Sequence, residues 1–185
     1  LPDIYACKYE KLLSLPRESV PGARGTVGLP MQLVMFEQLP LWTKFFETCG
    51  FRVVLSDRSS RDLYFRGQHT VASDTACYPA KLMHGHIESL LDRGVDFIFY
   101  PCESYNLDEH DSINHYNCPV VAYYPELLKA NNERLTQENF VMPYLDPNDE
   151  ATTVRSLHRA LARWKLSPRL IRRAYRAGLA ALEQY

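Results

Sequence analysis

Four short apolar runs constrain the fold of this chain most tightly: Val27-Gly28-Leu29, Val53-Val54-Leu55, Phe97-Ile98-Phe99 and Val120-Val121-Ala122. Runs that do not alternate apolar with polar suit strands covered by helices on both faces, as in a parallel sheet. The segments between them have helical spacing. Met31–Cys49 carries Phe36, Trp42, Phe45 and Phe46, with Pro40 kinking or restarting the helix and Gly50 stopping it. Pro79–Arg93 places Leu82, Met83, His86, Ile87, Leu90 and Leu91 on one stripe and opens with a first-turn proline. The spacing predicts main strands over Thr26–Leu29, Phe51–Ser56, Asp96–Tyr100 and Pro119–Tyr123, with minor strands at His69–Ala72 and Phe140–Met142. Short helices are expected over Ser59–Gly67 and Pro125–Ala130. The alternation implies an α/β fold, a three-layer sandwich around a mostly parallel, Rossmann- or flavodoxin-like sheet of four to five strands, with right-handed crossovers.

Three regions are expected along the chain: an N-terminal segment over 1–24, with Pro16 to Gly25 as linker, the α/β domain over 25–146, and a helical extension over 147–185. Two amphipathic helices, Asp149–Leu166 and Leu170–Leu182, form the extension, and Ser167-Pro168 reads as a cap with a first-turn proline. They are expected to lead towards further domains of a longer parent, since the chain starts at Leu1. Charge is divided in the same way. Residues 151–185 hold eight Lys or Arg against the single acid Glu183, whereas residues 1–150 hold 13 Lys or Arg against 21 acids. The basic tail reads as a solvated helix face or one that docks on an acidic surface. Nucleic acid is not expected, because no aromatic-interleaved basic platform accompanies it.

With 46% apolar and 23% charged residues the composition is that of an ordinary globular protein, and no run reaches the roughly 18 apolar residues of a membrane span. No export signal opens the chain, and five cysteines is an odd number. A secreted disulfide framework would be denser in cysteine and even in count, so a reducing, cytoplasmic setting is expected.

Three of the cysteines stand beside prolines at element ends: Ala76-Cys77-Tyr78-Pro79, Pro101-Cys102 and Asn117-Cys118-Pro119. Cys77 precedes a helix N-terminus, where free N–H groups and the helix dipole favour a thiolate. Cys102 directly follows a strand, at the carboxyl edge where open α/β sheets bind ligands. Cys118 precedes an expected strand and so falls at the opposite edge, unless the 15-residue loop after Cys102 folds it back. Thiolates at element ends suit a metal or cluster, and His115 is a further candidate ligand or proton donor. There is no Cys-x₂-Cys pair to support this by spacing. Cys7 and Cys49 read as packing residues, and His86 as a hydrogen-bonded core histidine. His84 faces the site edge or solvent, and Lys81 reads as a solvated helix lysine. Asp57, Ser59, Ser60 and Arg61 form either a ligand rim after the second strand or a plain helix cap. The loop acids Glu103, Asp108, Glu109 and Asp111 lack calcium-loop spacing.

Longer stretches carry a resemblance. Arg24-Gly25-Thr26-Val27-Gly28-Leu29-Pro30, Gly50-Phe51-Arg52-Val53-Val54-Leu55-Ser56, Cys77-Tyr78-Pro79-Ala80-Lys81-Leu82-Met83-His84-Gly85-His86, Val95-Asp96-Phe97-Ile98-Phe99-Tyr100-Pro101-Cys102 and Asn114-His115-Tyr116-Asn117-Cys118-Pro119-Val120-Val121 resemble the uncharacterised domain of activator-type proteins of 2-hydroxyacyl-CoA dehydratases. The resemblance implies a large parent protein of anaerobic bacteria with separate ATPase activator domains, and a kinship with the dehydratase subunits. It implies a [4Fe–4S] cluster held by Cys77 and Cys102, with Cys118 as a third ligand and a further one from another domain. The expected role is an iron–sulfur electron-transfer module whose partners are an acyl-CoA dehydratase or an ATPase activator domain. Two other readings stay open at this point: a cluster-free interaction domain of the same parent, and a zinc-binding structural module.

Overall fold

The structure is a computed structural model that describes residues 3–14, 22–108 and 113–185. Among the described residues six strands form: β1 (Thr26–Leu29), β2 (Arg52–Leu55), β3 (Phe97–Phe99), β4 (Cys102–Glu103), β5 (Phe140–Val141) and β6 (Tyr144–Leu145). The helices are α1 (Ile4–Leu13), α2 (Val34–Glu37), α3 (Leu39–Thr48), α4 (Arg61–Gly67), α5 (Tyr78–Asp92), α6 (Pro119–Asn131), α7 (Glu150–Ala160) and α8 (Pro168–Glu183). Four strands make one parallel sheet in the order β2-β1-β3-β5, and β4 pairs with β6 in a separate two-stranded ribbon. In register, Val27 lies between Val53 and Phe97, and Ile98 lies between Gly28 and Phe140.

This order explains the layers. The chain steps from β1 out to β2, then back across β1 to β3 and on to β5. Right-handed crossovers therefore place α3 on one face and α5 and α6 on the other. The helices α7 and α8 join α3, so the molecule is a three-layer α/β sandwich with helices on both faces of a mostly parallel sheet. Contacts on the two faces of the sheet show the division. Phe99 packs on Trp42 and Phe46 of α3, with ring centroids 4.7 and 4.9 Å apart. On the opposite face, a Cβ at Gly28 would stand 3.1 Å from Leu90 of α5.

Two expectations are corrected. Pro119–Tyr123, expected as a strand, begins the 13-residue helix α6, which also takes in the short helix expected at Pro125–Ala130. The β-branched pair Val120-Val121 favours a strand, but Cys118 caps the helix through a 3.4 Å contact from the Val121 N–H, and Pro119 occupies its first turn. The apolar spacing then continues through Leu128, which only a helix converts into one buried stripe. His69–Ala72, expected as a minor strand, is no strand: His69 and Thr70 belong to a 3₁₀ turn over Gln68–Thr70, and Val71 and Ala72 are irregular. The division of α2 from α3 just before Pro40 and the cap of α8 at Ser167 match the reading of the sequence.

The residues of 147–185 share the core of the α/β body. Leu157, Leu161, Ile171, Ala174 and Tyr175 are buried in the same cluster as Trp42 and Phe46. In α8 the buried residues Ile171, Ala174, Tyr175 and Gly178 form a stripe against α3, where a Cβ at Gly178 would meet the Leu41 carbonyl oxygen at 2.6 Å. On the outer surface Arg172 and Arg176 pair with Glu150 at the start of α7. Most of the expected linker, residues 16–21, lies outside the described residues, as do Glu109 and Asp111.

Candidate functional site at the carboxyl edge of the sheet

The helices α5 and α6 both run back towards the start of the sheet, so both begin at its carboxyl edge, where β3 ends. Cys77 is the N-cap of α5 and Cys118 the N-cap of α6, and both thiols are exposed. Cys102 begins β4 just beyond β3, donates its N–H to the Pro143 carbonyl at 2.9 Å and is buried. All three cysteines thus belong to one edge. The opposite-edge placement of Cys118 is corrected, because the segment after it is a helix running away from that edge.

The loop between Cys102 and Cys118 returns the chain to its starting point. Asn106 N–H donates to the His115 carbonyl at 2.7 Å, and Asn117 N–H donates to the Ser104 carbonyl at 3.0 Å. The Asn117 side chain bonds the Glu103 carbonyl, and the Tyr105 and Tyr116 rings lie with centroids 4.7 Å apart. These contacts make an antiparallel arm that sets Cys118 down beside the end of β4.

Two buried tyrosines lie at this end of the fold: Tyr100 directly follows β3, and Tyr124 is in the second turn of α6. Burial raises the Tyr100 hydroxyl well above its ordinary value and pushes the Tyr124 hydroxyl up to about 12. It donates to His84 Nε2 at 2.9 Å. The other ring nitrogen of His84 donates to Thr70 Oγ1 at 2.7 Å, because the Thr70 hydroxyl is spent on the Gly67 carbonyl. His84 is therefore buried, neither solvent-facing nor at the rim, and desolvation lowers it to about 4. The Tyr100 hydroxyl has no hydrogen-bond partner among the described residues.

Burial and the Glu126 charge push the Cys102 thiol up to about 12, against the pull of the Glu126 backbone N–H that it accepts. Glu103, beside it, is 1% exposed and takes a 2.7 Å bond from Gln38 Nε2, whose amide oxygen receives Trp42 Nε1 at 2.7 Å. Desolvation raises the Glu103 carboxyl to about 7. His115 lies 3.3 Å from Asp108 and joins no cysteine. Among the described residues no three His, Cys, Asp or Glu side chains converge as a metal site. Three cysteines at one edge are thiophilic donors by chemistry, but as placed they do not form a ligand set.

The other candidates have structural roles. Lys81 bonds the Asp74 carbonyl at 2.7 Å. Ser60 caps α4 through Leu63 N–H, and Asp57 is held by Arg66 and Arg93, which lower its carboxyl. His86 is buried between Ser56 Oγ at 2.7 Å and Ser59 Oγ at 3.0 Å, as a hydrogen-bonded core histidine. Cys49 is buried, whereas Cys7, read as a packing residue, is exposed on α1. Sequence reasoning missed Tyr100, Tyr124 and Gln38. The available signal was polar: Tyr100 follows the apolar run Phe97-Ile98-Phe99, and Cys118-Pro119 repeats the cap-and-proline pattern of Ser167-Pro168.

A parallel sheet with a cysteine-bearing carboxyl edge, closed by helices on both faces, defines a Rossmann-like α/β domain. Residues 26–185 match the family described as CoA enzyme activase uncharacterised domain, and the chain belongs to that family. No curated protein and no solved structure matches it. Among the described residues no helix is long and apolar enough to cross a membrane.

Proposed function

We propose that this domain serves a dehydratase-activator-type protein as the cysteine-bearing part of a [4Fe–4S] site. Cys77, Cys102 and Cys118 are its ligands, and another domain of the parent supplies the rest. The observation that supports this reading is the gathering of the three cysteines at one sheet edge. When bound, such a cluster supplies single-electron transfer to an acyl-CoA dehydratase or activator partner, with ATP used elsewhere in the parent. The chain's own contribution is steric. Cys77 and Cys118 stand as the N-caps of α5 and α6 with their thiols exposed at the edge. Cys102 must lose its proton on ligation, which its burial opposes until a cation is present.

Anaerobic preparation of the parent protein, followed by iron and sulfide assay and an EPR spectrum, tests this. Iron and sulfide should be present and be lost on Cys77→Ala and on Cys102→Ala. Stoichiometric zinc would favour a structural zinc module instead. Absence of any metal from the anaerobic parent would leave the second reading, a cluster-free interaction domain. That reading is favoured by the incomplete ligand set and the buried, protonated Cys102 thiol.

A further inference from the structure

The outer helices α7 and α8 carry a charge pattern that the fold does not use. Residues 151–185 hold seven arginines and one lysine against the single acid Glu183. A face that serves only solubility mixes both signs, and either cation would do. On α8 the buried stripe of Ile171, Ala174, Tyr175 and Gly178 turns Arg169, Arg173 and Arg176 to solvent. On α7 the buried Thr153, Val154 and Leu157 turn Arg155 and Arg159 outward in the same way. Like charges four positions apart on a helix repel, so the pairs Arg155/Arg159 and Arg169/Arg173 each cost their helix some stability.

A third pair shows what this spacing can hold. Arg172 and Arg176, also four apart, close on the carboxylate of Glu150 at the start of α7. Arg176 donates to both of its oxygens, with Nε 2.8 Å from Oε2 and Nη2 2.9 Å from Oε1, and Arg172 Nε adds a contact at 3.4 Å. A planar guanidinium fits a carboxylate in this two-point way, which a lysine cannot do. Arg169 and Arg173 repeat the spacing on the outward strip of α8, and among the described residues neither has a hydrogen-bond or ion-pair partner. Among the same residues Arg155 reaches only the Thr152 hydroxyl, at 2.8 Å, and Arg159 has no polar partner. Arg159 borders an open hollow of about 220 Å³ with Pro143, Tyr144 and Ser156.

We propose that the outer face of α7 and α8 docks an acidic protein surface, whose carboxylates enter the Arg155/Arg159 and Arg169/Arg173 pairs as Glu150 enters the third. Carboxylate is favoured over nucleic-acid phosphate by the pair already filled. Sites for single-stranded nucleic acid also interleave aromatic rings with their cations. Among the described residues none of the exposed large apolar or aromatic side chains lies in α7 or α8. For the same reason the contact is held by charge rather than by apolar area, so it forms fast and weakens with salt. This face lies on the α3 side of the sheet, away from the helices that bear Cys77 and Cys118, and its role is independent of the function proposed above.

The probe is poly-L-glutamate, a carboxylate polymer, titrated with the full chain at low salt and read by fluorescence anisotropy. The wild-type chain should bind it, and binding should weaken steeply as salt is added. Arg169→Gln combined with Arg173→Gln should weaken binding about tenfold, the worth of two exposed charged contacts. Arg155→Gln combined with Arg159→Gln should do the same. Arg52→Gln combined with Arg61→Gln is the control. Both residues are exposed and lie outside α7 and α8, so net charge changes equally while the docking face is kept. The urea midpoints of the two docking variants should be unchanged or higher, because repulsion is relieved and no ion pair is lost.

Weaker poly-glutamate binding in both docking variants, with the control at the wild-type value and the urea midpoints kept, supports the assignment. No binding by the wild-type chain at low salt overturns it. Equal weakening in docking variants and control also overturns it, since net charge alone would then explain the attraction. A duplex DNA oligonucleotide bound more tightly than poly-glutamate at the same salt, and released by the same substitutions, replaces the acidic protein partner with nucleic acid. Self-association of the wild-type chain in sedimentation velocity, abolished by either pair of substitutions, replaces it with a second copy of this chain.

Discussion

On one face of the sheet, α3 and α8 press Trp42, Phe45, Phe46 and Tyr175 towards Phe97 and Phe99. On the other, α4, α5 and α6 bury His84, His86, Glu88 and Ser89, each hydrogen-bonded. The first layer is held by apolar area and aromatic contacts, which tolerate small adjustments of position. The second is held by directional bonds and by a still closer backbone approach, since a Cβ at Gly85 would stand 2.0 Å from the Leu63 carbonyl oxygen, against 2.6 Å from the Leu41 carbonyl oxygen at Gly178 in the first. That difference has a functional side. The layer built from polar contacts carries Cys77 and Cys118 at its helix starts.

The comparison can be broken most forcefully in the aromatic layer. Trp42→Ala should cost about 3–5 kcal/mol, since it empties the centre of that layer and strands the Gln38 amide oxygen. Urea unfolding measures this, and a loss below about 1 kcal/mol would show that α3 is not the anchor of the layer. In the polar layer Gly85→Ala should cost about 3 kcal/mol, because the added methyl meets backbone and α4 must move off α5. The aromatic layer should yield more easily to a volume-conserving change: Leu41→Met should cost less than about 1.5 kcal/mol. If Gly85→Ala proved as mild as Leu41→Met, the contrast in rigidity would fail.

The two layers should also respond oppositely to pH. Burial lowers His84 and His86 from 6.5 to about 4, so the fold favours their neutral forms. Their contribution is present above the unfolded value near 6.5 and is lost as the pH falls towards 4. Glu103, on the α3 side, is raised from 4.5 to about 7. Its contribution is complete below 4.5 and is lost as the pH rises through 7. The opposing slopes overlap, so Glu103→Gln should steepen the fall in urea midpoint on acidification, and His86→Gln should flatten it. Identical pH profiles for wild type and both variants would contradict this assignment.

The smallest effects belong to the caps. Ser60→Ala and Ser167→Ala each remove one N–H acceptor, from Leu63 and Leu170, and should each cost about 1 kcal/mol by thermal or urea unfolding. The shorter helix α4 depends on its cap and on α5, whereas α8 also has a buried stripe along α3. The Ser60 substitution should therefore additionally raise amide exchange in α4, and equal exchange in the two variants would remove that distinction.

The strands β1, β2, β3 and β5 and the helices α3, α5, α7 and α8 were legible because their apolar periodicity is long or sharply bounded by glycine and proline. Pro119–Tyr123 was misread for a physical reason. Five apolar residues rich in valine fit a strand or a buried helix equally well, and the capping cysteine with its proline decides only when the stripe is followed to Leu128. The ribbon of β4 and β6 joins residues about 40 positions apart and leaves no local pattern. At the candidate site the three cysteines were legible as element-end residues. Their common edge was not, because it depended on α6 being a helix.

What the sequence determined by itself was the layered α/β plan, the placement of cysteines at element ends, and a tail of two amphipathic helices. These follow from local periodicity and from the backbone limits of proline and glycine, which act over a few residues. Only the tertiary structure decided that all three cysteines share one edge, that Tyr124 is paired while Tyr100 is not, and that Glu103 is buried against Gln38. Those outcomes depend on which groups lose water together, and desolvation is set by the packing of distant segments rather than by any one segment's composition.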